Sequence, residues 1–307
     1  MRFINLKTET EVTEINQPTV LCLGNFDGVH IGHRQLVDAV IEKHRILSKN
    51  NSSILSGAWF FDSTFYKNAY EIYSLEEKLN VFKSLGLDYA IIADFNDMKS
   101  LSPSDFVNVI LMEQCNCIHA VCGENFRFGA KAAGDSQSLI RLMNNNATVV
   151  PLLSEGNNII SSTYIRTLLS NGEIQKVNSL LSANYSITEM VVYGKQLGRK
   201  LGLPTINQNI VSKNLILKNG IYATICTIDN KQFYGVSNVG IRPTVDDNGH
   251  KNIETHIIDF KDDCYGKIVK VEFIARIRDE MKFNGIDALK LQINNDINTT
   301  KEFFKNY

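Results

Sequence analysis

Leu21-Cys22-Leu23-Gly24-Asn25-Phe26-Asp27-Gly28-Val29-His30-Ile31-Gly32-His33 is the stretch whose reading decides the fold. The apolar run from Thr19 to Leu23 reads as a buried strand, and it empties into a turn with glycines at 24, 28 and 32. A helix follows at once, because Leu36, Val37, Val40, Ile41 and Leu47 recur at the spacing of one helical face. The turn therefore delivers two imidazoles to a helix mouth, where they can donate to anionic oxygen beside the unpaired N–H groups of the helix N-terminus. Gly24, Asn25, Phe26, Asp27 and Gly28, with His30 and His33, form a candidate holder for a triphosphate on which charge builds during attack. The plainer alternative is a strand–turn–helix corner that carries surface histidines.

Outward from this corner the pattern repeats. Residues 53–61, 89–93, 119–122 and 148–153 read as strands. Between them, Ser74-Leu75-Glu76-Glu77 opens a helix with a capping box and Ser102-Pro103-Ser104-Asp105 opens another with Pro at the first position; residues 135–143 form a third. Strands alternating with helices predict a parallel sheet covered on both faces, with ligands in the crevice beyond the strands' carboxyl ends. The turn Gly123-Glu124-Asn125-Phe126-Arg127-Phe128-Gly129 should face that same crevice. A third segment, Ser161-Ser162-Thr163-Tyr164-Ile165-Arg166, reads equally as a helix N-cap or as a phosphate grip.

The totals set limits. A chain of 307 residues, 44% hydrophobic and 21% charged, has room for two globular domains. A net charge of -1 provides no global field for nucleic acid or an anionic membrane. Six cysteines without a Cys-x-x-Cys pair read as free thiols in a reducing cytosol, and no run reaches the roughly 18 apolar residues of a membrane span. A cytoplasmic protein is expected, monomeric or weakly homo-oligomeric, with small-molecule partners and neither nucleic acid nor membrane.

Helical signals fade after Leu181, and Ser182-Ala183-Asn184 reads as a hinge, giving domains 1–183 and 184–307. Short strands at 185–193, 221–228, 232–239, 254–260 and 267–276 predict a small closed barrel, followed by a helix over about 286–296. Gly194, Lys195, Gly198, Arg199 and Gly202 form a glycine-rich basic arch that could cradle phosphate. Thr205 and Asn207 offer two neutral oxygens to a Mg²⁺ that keeps its other ligands from ATP and water. Glu254, His256 and Ile258 should share one strand face, with Glu254 on the inner or rim side as a candidate general base. A surface hairpin with a basic tip, and a rim glutamate paired with a lysine, are the alternatives.

Together, the three N-terminal segments resemble the FMN adenylyltransferase module of bacterial bifunctional riboflavin kinase/FAD synthetases, nucleotidyltransferases of Rossmann-like α/β fold marked by His-x-Gly-His. The resemblance implies that His30 and His33 hold the ATP phosphates and the leaving pyrophosphate. It further implies that Asn125 contacts flavin or nucleotide and that Ser162, Thr163 and Arg166 grip phosphate. One element departs: Phe60-Phe61-Asp62-Ser63-Thr64-Phe65 stands where the family shows Thr-Phe-x-Pro-His-Pro. In the second half, Gly198–Asn207, Asn219–Ala223, Asn238–Thr244, Glu254–Phe260 and Arg278–Phe283 resemble riboflavin kinase in family order. That resemblance assigns Thr205 and Asn207 to Mg²⁺–ATP, Glu254 to the base that activates the ribityl 5′-hydroxyl, and Arg278, Glu280 and Phe283 to the flavin. The implied activity is bifunctional: riboflavin and ATP give FMN, and FMN and ATP give FAD. A kinase with a degenerate adenylyltransferase, or a protein that only binds flavin or nucleotide, stand as alternatives. An aminoacyl-tRNA synthetase, suggested by His-Ile-Gly-His alone, fails on missing anticodon-binding bulk and basic surface.

Overall fold

Thr19–Leu23 and Tyr89–Ala93 are buried at every position, as strands covered on both faces must be. The computed structural model describes residues 15–61, 71–194, 198, 202–210, 216–240 and 251–307, with 2–6 and 241 by backbone alone. They fall into two compact units, Met1–Tyr164 and Ile165–Tyr307.

The first unit is built on six parallel strands, β1 (Arg2–Leu6), β2 (Thr19–Leu23), β3 (Leu55–Phe61), β4 (Tyr89–Ala93), β5 (Cys117–Gly123) and β6 (Ala147–Val150). Their order is β1-β4-β3-β2-β5-β6. From β2 the chain first builds outward through β3 and β4, then returns to lay β5 on the other side. The order therefore reverses beside β2, and the crevice at such a reversal is where open α/β sheets bind ligands. Helices cover the sheet: α1 (Ile31–Leu47), α2 (Leu75–Ser84), α3 (Pro103–Asp105 continued by Phe106–Gln114) and α4 (Ser136–Leu142). The capping box expected at Ser74 and Glu77 is formed at α2. Helix α3 starts at Pro103–Asp105, capped by Ser102, and continues with π-helical turns over Phe106–Gln114. Its buried Phe106, Val107, Ile110 and Leu111 join Leu21, Leu23, Trp59 and Ile91 in one core.

The second unit opens with α5 (Ser162–Asn171), whose first turn lies on the far side of the division, and α6 (Ile174–Leu180). A closed antiparallel barrel follows, of β7 (Ser186–Val192), β8 (Ile206–Asn209), β9 (Gly220–Ile228), β10 (Lys231–Ile241), β11 (Lys251–Ile257) and β12 (Ile268–Arg278). The strand order is β7-β8-β11-β10-β9-β12. The barrel interior holds a chain of hydroxyls: Thr224 and Ser237 lie 2.9 Å apart, Ser237 and Thr255 2.7 Å, all buried. Helix α7 (Ile286–Lys305) lies against the outer wall, with Ile297 in a cluster with Ile221, Val236 and Ile258.

Within the second unit Asn178 pins α6 to the barrel: its amide donates to the Phe273 carbonyl of β12 (2.8 Å) and accepts from the Tyr185 N–H (2.9 Å). Two features differ from the sequence reading. Strand β8 escaped notice because its four residues, Ile-Asn-Gln-Asn, are mostly polar. Helix α7 continues to Lys305 through poor helix formers, because Thr300 and Phe304 are buried against the barrel. All six cysteines are buried free thiols, as expected, and burial pushes the Cys122 thiol up to about 12, unsuited to nucleophilic work. No helix among the described residues is long and apolar enough to cross a membrane.

Candidate active sites

In the first unit His30 caps α1, its Nδ1 accepting from the His33 N–H at 3.3 Å. The His30 and His33 rings stack at 3.7 Å and 17°. Gly32 makes this possible, since a Cβ there would lie 3.2 Å from His30 Nδ1. Burial lowers the His30 pKa to about 4. His33 is lowered well below the usual value, first by burial, then by His30 and Lys78. Both rings are therefore neutral near pH 7. With Nδ1 of His30 accepting, its proton sits on Nε2, which leaves a neutral N–H donor rather than a cation.

The turn is braced from several sides. Asp27 accepts from the Ile72 N–H through Oδ1 (2.9 Å), and its carbonyl accepts from Ser162 Oγ (2.9 Å). Gly28 sits at φ +76 against Ile72. Val29 adopts φ +36, a strained setting for a β-branched residue that is held by complete burial. The sequence puts Phe26 among the candidate phosphate holders, but its ring is fully buried under His33 and against Phe60 and Phe82, so only its backbone can meet a ligand. Ser161 is the capping residue, accepting from the Tyr164 N–H at 3.3 Å. Ser162 spends its hydroxyl proton on the turn. Arg166 lies one turn further along α5 and is half-buried.

These segments surround a cavity of 770 Å³ at the carboxyl ends of β2, β3, β5 and β6. Gly24, Asn25, His30, His33, Asn125, Ser162 and Thr163 all line it, so the three stretches singled out in the sequence converge. Asp27 and Gly28 stand behind the wall as supports. Lys99, Arg127 and Lys131 add positive charge to the lining. Sequence reading missed Lys78, which is 1% exposed, over the Phe60 ring at 4.9 Å and 3.5 Å from the Asn25 carbonyl. Its signal was present: a lysine three residues after Leu75 and four before Phe82, on the same helical face as both.

The barrel carries the second site. The register sets Asn207 of β8 opposite Glu254 of β11, and Glu254 opposite Asn238 of β10, so two amides flank the carboxylate across three strands. Asn252 donates to Glu254 Oε1 at 3.2 Å. Glu254 is exposed while Ile253, Thr255 and Ile257 are buried, which corrects the expectation of an inner or rim position: the carboxylate is on the outer face. Ile258 lies beyond the strand and is buried in the cluster under α7. Glu254, His256, Thr205, Glu280 and Phe283 line a groove of 200 Å³ beneath α7, and Thr205 also lines a second cavity of 400 Å³ with Lys261 and Tyr265.

Arg278 lines the groove too, but its guanidinium is bound to Asp296 of α7, Nε–Oδ1 at 2.9 Å and Nη2–Oδ2 at 2.7 Å. Glu280 Oε2 accepts from Asn219 at 3.2 Å. Asn207 is buried with its Oδ1 unpartnered, and Gly194 packs on that amide so closely that a Cβ would collide with it. Gly198 likewise has no room for a side chain beside the Leu203 carbonyl, and Gly202 takes φ +76. Lys195, Arg199 and the stretch Asp62–Phe65 lie outside the described residues.

Each unit thus carries a candidate site of its own, a cavity with helix-mouth donors in the first and a groove with a carboxylate between amides in the second. Residues 12–164 match the family model described as FAD synthetase, and residues 181–304 match that described as riboflavin kinase. The chain is 31% identical to the bifunctional riboflavin kinase/FMN adenylyltransferase of Bacillus subtilis, covering 96% of this chain and 95% of that one. It is 32% identical to the Escherichia coli K12 protein of the same description, over 93% and 92%. The chain belongs to the bifunctional riboflavin kinase/FMN adenylyltransferase family. A crystal structure described as a macrolide-efflux protein from Streptococcus pneumoniae superposes with a TM-score of 0.86 at 25% identity, covering 97% of this chain and 98% of that one.

Proposed function

We propose that this chain makes FMN from riboflavin and then FAD from FMN, using ATP for both steps. The observation that carries the reading is that each unit has a cavity of its own, one lined by His30, His33, Ser162 and Thr163 and the other by Thr205 and Glu254. In the barrel, Glu254 takes the proton of the ribityl 5′-hydroxyl as that oxygen attacks the γ-phosphorus of ATP, and ADP leaves. Asn207, Asn238 and Asn252 keep the carboxylate placed. In the first unit the FMN phosphate attacks the α-phosphorus of ATP and pyrophosphate leaves. His30 and His33 meet the growing negative charge with neutral N–H donors, while Thr163 and the backbone N–H groups of Ser162 and Thr163 close the phosphate end.

Mg²⁺ fits the kinase site. Asn207 Oδ1 is a buried oxygen without a partner, Thr205 lies two residues before it at the entrance to β8, and both are hard oxygen ligands. Among the described residues no group of three or more His, Cys, Asp or Glu gathers to hold a metal, so phosphates and water would supply the remaining ligands. Bound there, Mg²⁺ would neutralise phosphate charge. Gly194, Gly198 and Gly202, with Lys195 and Arg199, form the proposed phosphate arch. Arg278, Glu280 and Phe283 border the proposed flavin groove, and Asn125 is the proposed flavin contact of the first unit. We assign adenylyl transfer to residues 1–183 and the kinase to 184–307, in a cytoplasmic, monomeric or weakly self-associating protein that needs neither nucleic acid nor membrane.

The test supplies FMN and ATP with Mg²⁺ as the only substrates. FAD and pyrophosphate are expected. Formation of FMN from riboflavin with no FAD from FMN would instead establish the kinase-only alternative, which the altered Asp62–Phe65 element favours.

A further inference from the structure

Along the wall of the 770 Å³ cavity runs an unbroken row of six rings, Phe95, Phe61, Trp59, Phe106, Phe128 and Phe126. Successive centroids are 5.3, 4.9, 5.1, 5.3 and 5.6 Å apart. Only one of these side chains has a polar atom, and that atom is stranded: Trp59 is 2% exposed and its Nε1 is buried without a hydrogen-bond partner. An unsatisfied buried N–H costs roughly 1–3 kcal/mol and calls for an explanation. The cost disappears if a ligand in the cavity supplies the acceptor.

We propose that Trp59 binds the isoalloxazine ring of FMN, its indole N–H donating to a ring carbonyl oxygen. This rests on the adenylyltransferase reading of the cavity and adds a specificity residue to it. The chemistry of the wall selects the flavin over the other flat substrate ring. Isoalloxazine is three rings long, with an apolar dimethylbenzene edge suited to an aromatic row and a pyrimidinedione edge bearing two carbonyls. Adenine is shorter and has no carbonyl.

The experiment compares the full-length wild type with Trp59→Phe in FAD synthesis. Loss of the donor should raise KM for FMN about tenfold, leave KM for ATP within twofold, and leave riboflavin phosphorylation by the other unit unchanged. An unchanged KM for FMN, or a rise confined to ATP, overturns the proposal. In case Trp59→Phe disturbs the fold and lowers everything together, a second variant keeps the shape. Trp59 is the sole tryptophan, so a tryptophan auxotroph fed the benzothiophene analogue replaces N–H by sulfur at this position alone, and the same tenfold effect is expected. Substrates with 2-thio and 4-thio FMN close the cycle: one of them should bind about tenfold more weakly than FMN to wild type and equally well to the donor-free protein. Loss of the same size in both proteins overturns the carbonyl contact. If wild type forms no FAD, the catalytic reading falls separately, and the thio-FMN comparison is then made by equilibrium binding, with the same two outcomes.

Discussion

Asp296→Ala should loosen α7 over the proposed flavin groove, and the geometry sets the size of the effect. The Asp296 carboxylate is 3% exposed and accepts three bonds, from Arg278 Nε (2.9 Å), Arg278 Nη2 (2.7 Å) and Gln292 Nε2 (2.8 Å). Removing it strands a guanidinium whose side chain is only 18% exposed, next to the apolar cluster of Ile221, Val236, Ile258 and Ile297. Breaking one side of a buried pair costs about 3–5 kcal/mol. Arg278 Nη1 keeps the Asp279 carbonyl at 2.8 Å and has some access to water, so the lower end applies. For a unit of this size, ~3 kcal/mol corresponds to a fall in Tm of roughly 10 °C. Scanning calorimetry of the full chain should show the barrel transition moving down by that amount, with riboflavin phosphorylation impaired and FMN adenylylation retained. Replacing the pair by Arg278→Met with Asp296→Leu should restore most of the lost stability, because two apolar groups leave no unpaired charge. A single variant that shifts the transition by less than about 2 °C, or a double variant as unstable as the single one, refutes the reasoning.

Glu254→Gln keeps the shape of the carboxylate and removes its basicity; FMN formation should fall by about 10²–10⁴-fold while FMN plus ATP still gives FAD. Gly194→Ala pushes a methyl group into the Asn207 amide, so the kinase should require several-fold more Mg²⁺ for half-maximal rate, measured by Mg²⁺ titration at fixed ATP. His30 titrates near 4 in the folded unit and near 6.5 unfolded, so the unfolded chain binds more protons between those values. Stability is complete above about 6.5 and falls on acidification towards 4, by up to ~1.4 kcal/mol per pH unit from this residue. The Tm of the first unit should therefore drop between pH 7 and 5, and His30→Gln should reduce that slope.

The parallel sheet was legible because its strands are continuous apolar runs separated by capped helices: the ranges read for β2 and β4 match the strands found. The convergence of Gly24–His33, Asn125 and Ser162 followed from one rule about the carboxyl ends of such strands. What the sequence concealed was the division of labour within those segments. Phe26, Asp27 and Gly28 resemble their neighbours in a glycine-rich turn, yet the first is core and the other two are braces. Trp59 and Lys78 were hidden because a tryptophan in an apolar strand, and a lysine in a helix, look unremarkable until burial is known. On the barrel side the sequence suggests an inner or rim position for Glu254 and the strand turns it outward, since alternation gives the relative facing of residues and not which face is inside.

The row of hydroxyls through Thr224, Ser237 and Thr255 has a consequence for how the barrel can change over time. Those side chains satisfy one another only in the observed pairing. A one-residue slip of β10 would expel Ser237, draw Asn238 inward and strip Glu254 of a flanking amide. The interior thus counts residues on behalf of the surface. An insertion within β10 or β11 is felt at the carboxylate, whereas one at the two-residue turn Asp229-Asn230, both at positive φ, leaves the count intact. Length variation in this barrel should therefore be confined to its loops, with the outer row of Asn207, Glu254 and Asn238 held constant by hydroxyls buried on the opposite face.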